Sequence, residues 1–142
     1  MNPTIDKFGY PATLVREFGQ WVVLLRPAQA TLGALVLAAK SDATAFSQLP
    51  GEAFAELHQA VSTIERGLEH FRRFERINYL MLMMVDPHVH FHVFPRYSRT
   101  QTWNGVDFAD SGWPGAPQLG DALALDQAQA AALTHDLAQC LI

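Results

Sequence analysis

Three histidines recur at every second position in the stretch Asp86-Pro87-His88-Val89-His90-Phe91-His92-Val93-Phe94-Pro95-Arg96. A period of two is the period of a strand, whose successive side chains point to opposite faces. The spacing therefore predicts His88, His90 and His92 on one face and Val89, Phe91 and Val93 on the other, packed into the core. Asp86-Pro87 reads as a turn, because proline fixes its own φ and restricts the residue before it. Pro95 lacks an N–H and should end the strand or lie at a sheet edge. Three chemistries suit such a row. The histidines are satisfied or solvent-facing; or two of them hold a metal; or one imidazole is a nucleophile that its neighbours orient. Zinc-ligating nitrogens lie within about 2.1 Å of the ion. Same-face residues are roughly 6.6 Å apart at two positions and about 13 Å at four. One metal could take two neighbours but hardly all three, and would need ligands from elsewhere.

The run His88 to Arg96 resembles the signature of the histidine triad family, in which three histidines alternate with apolar residues. That family comprises nucleotide hydrolases and nucleotidyl transferases. The resemblance implies that the middle residue, His90, attacks the α-phosphorus of a nucleotide to form a nucleotidyl-histidine, which water then cleaves. It implies that His88 and His92 order the site and contact the phosphate. A related transferase group carries Gln in the third place, so His92 favours a hydrolase.

A chain of 142 residues suits one domain. The formal charge of −4 argues against a general nucleic-acid binder, which needs a basic face. Cys140 is the only cysteine, which excludes an intrachain disulfide and a cysteine-rich zinc module. Met1 to Tyr10 holds no basic segment followed by an apolar run, and no apolar stretch is long enough to span a bilayer. The expected location is the cytoplasm, with no membrane partner.

The remaining elements must position the histidine strand. Residues 1–11 read as a polar lead-in. Thr13–Phe18 and Gln20–Leu25 read as a hairpin, with Leu14, Arg16 and Phe18 on one side and Val15 and Glu17 on the other. Gly33–Ala38 is a third strand, buried on both faces. Lys40–Gln48 is a connector with room for one helical turn capped by Asp42. Pro50 fits the first position of a helix running to about Phe74, with Phe54, Leu57, Val61, Ile64, Leu68 and Phe71 as its buried stripe. His58 and His70 belong to its surface or packing. Ile77–Val85 is a fourth strand with its methionines as core filler, antiparallel to the histidine strand. Tyr97–Gly120 reads as an ordered loop with aromatic anchors. Leu125–Ile142 is a terminal helix in which Asp126 and Gln129 resemble a capping box, with His135 off its apolar stripe.

The order of elements matches the family over residues 12–97, with a loop and helix over 98–142. The expected fold is α+β: an antiparallel sheet, one long helix and a C-terminal helix, the histidine triad fold in one domain. Members are usually homodimers, so the resemblance implies a homodimer. There are departures. Arg26 stands where many members carry the Asp or Asn that holds the ribose. Met84-Val85-Asp86-Pro87 replaces the Gly-Gln segment that helps hold phosphate and leaving group. An asparagine of the fourth strand falls near Leu82, with Asn78 too early. Some members bind structural zinc through Cys and His, but Ser41-Asp42 stands at that place here.

Trp113-Pro114 is similar to the C-terminal Trp-Pro of one family branch, which reaches the partner's site. Arg96, on the motif's flank, and Arg99 could supply charge near a phosphate. The expected activity is hydrolysis at the α-phosphate of a nucleotide conjugate, a dinucleoside polyphosphate or nucleoside phosphoramidate. Its catalytic residues are His90, His88 and His92, and its substrate-binding residues Arg96, Arg26 and Trp113. No structural cofactor or metal is expected, although a divalent cation could accompany the substrate. Two alternatives remain: nucleotide binding without turnover, and a metal-binding protein using two of the histidines.

Overall fold

The computed structural model describes residues 1–142. Along the chain run α1 (Pro3–Lys7), β1 (Leu14–Glu17), β2 (Trp21–Leu25), β3 (Ala28–Gln29), β4 (Leu35–Ala39) and α2 (Gly51–Phe71). There follow β5 (Arg76–Leu80), β6 (His90–Arg96), β7 (Gln101–Trp103), β8 (Val106–Phe108), β9 (Leu123–Ala124) and α3 (Gln127–Cys140). Five strands form one antiparallel sheet in the order β1-β2-β4-β6-β5. The architecture is the expected α+β one, with a long helix and a C-terminal helix.

The register fixes the two faces. Ala38 lies opposite His90 and Val36 opposite His92, and across β4 these meet Val22 and Leu24 of β2. Cross-strand partners share a face. The histidine face is therefore floored by Val22, Leu24, Val36 and Ala38, which pack with Ile5 of α1. On the other face Val23, Leu25, Leu35, Leu37, Ala39, Val89 and Val93 form the main core with α2 and α3. Trp21 ties sheet to helix, its Nε1–H donating to the Ala53 carbonyl at 2.8 Å.

Several expectations need correction. Residues 3–7 form a helix. Asn2 caps it, accepting from the Ile5 N–H, and Pro3 begins it, a sequence signature of a helix start. In β1 the register shifts between Leu14 and Arg16. Val15 and Phe18 consequently enter the same core, and the simple alternation fails. Asp42 caps nothing: the short 3-10 turn at Phe46–Gln48 begins after Ala45, without a side-chain cap. Pro50 is the cap of α2, one place before its first residue. The buried face of α2 is Ala53, Ala60, Thr63, Ile64, Gly67 and Leu68, while Phe54 is exposed. Close packing against the end of α3 explains the glycine at 67. A Cβ on Gly67 would lie 2.6 Å from Leu141 Cγ and 3.0 Å from the Cys140 carbonyl oxygen.

The fourth strand ends at Leu80. Beyond it Leu82, Met84 and Val85 are exposed, so they are not core filler. Leu80 already lies beside His92, and residues 81–88 lie outside any strand as they travel round to Val89, whose carbonyl accepts from the Ala39 N–H of β4 at 3.0 Å. The segment after Arg96 contains the β7–β8 hairpin, turned by Asn104 and Gly105 at φ 49° and 73°. Positive φ at both central residues is the turn that suits a twisted hairpin, and Asn-Gly is its usual sequence. The capping box of α3 is as expected, with Asp126 accepting from the Gln129 N–H. No helix is long and apolar enough to cross a membrane.

Candidate active site

Strand β6 carries His90 and His92 side by side on the face away from α2 and α3, with ring centroids 5.0 Å apart and planes at 80°. His88 precedes the strand by two residues, in a bend. It joins the same group through α1, its Nδ1 lying 2.9 Å from the Thr4 hydroxyl. Val89 and Val93 point into the opposite core, so the alternation holds even where the ladder does not.

The protonation of His90 is set by its own backbone. His90 Nδ1 is 2.7 Å from the His88 carbonyl oxygen. A carbonyl can only accept, so Nδ1 carries the hydrogen. In the neutral ring Nε2 then holds the lone pair. That Nε2 is buried and has no hydrogen-bond partner, as is the case for His92 Nδ1. Buried polar atoms are ordinarily satisfied, and exceptions concentrate where a ligand or a reaction completes them. His92 is held neutral: its pKa is pushed down to about 4, first by burial, then by the Arg26 charge and by His90. Its ring stacks on Phe94, 6.3 Å between centroids and 15° between planes.

The N-terminal segment covers this face. Phe8 stands 5.7 Å from the His90 ring and 5.8 Å from His92. The buried Asn2 amide holds the segment down by donating to the Ala39 and Ser41 carbonyls, both at 3.0 Å. Lys7 pairs with Asp86 at 2.7 Å, at the turn before the histidines. Sequence reasoning missed Asn2, Thr4 and Phe8. Asn2-Pro3 was the available signal, but a five-residue helix is too short to show a period.

Arg26 follows β2 and reaches the histidine face. Its backbone is pinned by Gln29, whose amide donates to the Arg26 and Ala34 carbonyls and accepts from the Gly33 N–H. Its guanidinium lies over the Phe94 ring, 5.6 Å from the centroid. Arg96 and Trp113 stand elsewhere. Arg96 is buried in a two-point ion pair with Asp110, at 2.6 and 2.9 Å, and also donates to Asn78 at 2.7 Å. Its charge is thus already matched, and it fastens the loop at 110 to the sheet. Trp113 lines a cavity of about 550 Å³ with Arg76, Asn78, Arg96 and Pro114, which includes none of the histidines. Within one chain, then, the histidines are joined by Arg26 but not by Arg96 or Trp113. No three His, Cys, Asp or Glu side chains are arranged to hold a metal ion.

This geometry is that of the histidine triad fold. A histidine triad protein from Bradyrhizobium japonicum matches 100% of this chain and 97% of its own, with a TM-score of 0.74 at 18% identity. One from Sinorhizobium meliloti matches 99% of this chain and 95% of its own, with a TM-score of 0.75 at 18% identity. A hypothetical histidine triad nucleotide-binding protein from Sulfolobus tokodaii matches 97% of this chain and 89% of its own, with a TM-score of 0.69 at 15% identity. No protein-family model and no curated protein matches the sequence.

Proposed function

We propose that this protein hydrolyses nucleotide conjugates at the α-phosphate, with His90 as the nucleophile. The observation that carries the reading is the His90 ring: Nδ1–H is committed to the His88 carbonyl, and Nε2 is left buried without a partner. A nucleophile needs its lone pair oriented and unspent. Nε2 attacks the α-phosphorus, a P–N bond forms, and the bond to the leaving group breaks. Water then attacks the same phosphorus, the P–N bond breaks, and nucleotide leaves with the imidazole restored. His92 is neutral at pH 7 and can donate one ring N–H to the phosphoryl oxygens as charge builds on them. His88 orients His90 through its carbonyl and is itself oriented by Thr4. The fold is shared with the Sulfolobus tokodaii protein described as nucleotide-binding, which supports the substrate class. On this reading no resident cofactor is required, a divalent cation enters with the substrate, and the protein works in the cytoplasm as a homodimer.

His90→Asn keeps polarity and approximate size but removes the attacking nitrogen. It should lower turnover of a dinucleoside polyphosphate by a factor on the order of 1000 or more while nucleotide binding persists. His88 or His92 variants should be slower than wild type yet active. Wild-type turnover by His90→Asn would remove the reading.

A further inference from the structure

Arg26 is a cation beside Phe94 and His92 whose charge is not matched. The guanidinium makes one side-chain hydrogen bond, to the Ala28 carbonyl at 2.7 Å, and its Nε is buried with no partner. No carboxylate lies within ion-pair distance of it, whereas Arg96, on the same strand face as Phe94, has Asp110. Its neighbours are Phe94 beneath it and, on the same face, His92, which its charge helps to keep neutral. Arg26 as a whole is half-buried; a partly desolvated cation without a counter-ion carries a cost that a bound anion reduces. A guanidinium is also shaped to meet an oxyanion at two points.

We propose that Arg26 is the anion anchor of the site, binding a phosphoryl oxyanion of the substrate at the His92–Phe94 end of the histidine face. This rests on the nucleotide reading above and adds to it a selection rule. The residue after β2 is a donor, so it recognises the substrate's negative charge and not a sugar hydroxyl that seeks an acceptor. Preference should follow anionic charge, and a neutral nucleoside should gain nothing from Arg26.

The test compares adenosine with AMP by titration calorimetry on wild type, Arg26→Met and Arg26→Lys. Wild type should prefer AMP. Arg26→Met should reduce that preference by about tenfold or more, with adenosine affinity unchanged. Arg26→Lys keeps the charge and should retain part of the preference; it also serves if Arg26→Met does not fold. An unchanged preference in Arg26→Met, or a Lys variant with no preference at all, would overturn the anchor. Those results would leave the His90 reading standing if His90→Asn still lacked turnover. Wild type that binds neither probe would remove both.

Discussion

At the scale of the residue, the face is built so that the His92 imidazole stays uncharged beside a cation. For His92 this has a consequence for stability. Its pKa is lowered in the fold from 6.5 to about 4, so between these values the unfolded chain binds more protons than the folded one. Stability from this group is fully present above about pH 6.5 and falls as pH drops towards 4. The full shift corresponds to roughly 3 kcal/mol at most. Thermal unfolding followed from pH 7.5 to 4.5 should show this loss, and His92→Asn should flatten the curve over that window. A curve of equal slope in the variant would assign the loss to other groups. Arg26 contributes to the shift, so Arg26→Met should also weaken the dependence.

At the scale of the element, α1 and the α2–α3 contact make separate predictions. Phe8 packs on both rings, and His90 is fully buried beneath this cover. Phe8→Ala should therefore speed acylation of His90 by diethyl pyrocarbonate several-fold, read by peptide mass; an unchanged rate would mean that the ring is not the barrier. Gly67→Ala would ordinarily gain helix propensity. Here the added methyl meets Leu141 and the Cys140 carbonyl, so we expect destabilisation of about 1–3 kcal/mol in urea titration. The histidine strand was legible in the sequence because polar and apolar residues alternating with a period of two fit a strand and do not fit a helix. The capping box of α3 was legible because Asp126 and Gln129 act within one turn. Residues 81–85 were not: Leu and Met suit a strand by composition, but a strand also needs a partner, and none lies beside them. Phe54 was misplaced because periodicity marks apolar residues, whereas the buried face of α2 also takes small ones, Ala53 beneath Trp21 and Gly67 against Leu141. The place of Arg26 after β2 was legible, but its unmatched charge belongs to three-dimensional surroundings that no local pattern carries.

At the scale of the whole molecule, the sheet ends in β5, whose outer edge is unpaired, and Met84 and Val85 in the segment that follows it are 82% and 83% exposed. An open edge is a surface for pairing, and so are exposed apolar side chains. We predict a homodimer that sediments at twice the chain mass at micromolar concentration, and a shift towards monomer in Met84→Glu/Val85→Asp. A wild-type monomer would also remove any role for Trp113 in a partner's site. The proposed activity can be tested on the intact chain. Protein quenched in base during turnover of a dinucleoside polyphosphate, then weighed by mass spectrometry, should carry one nucleotidyl group per chain. That group should be lost in acid, map to His90 and be absent from His90→Asn. An adduct on His88 or His92, or steady turnover with no adduct at any quench time, would contradict nucleophilic attack by His90.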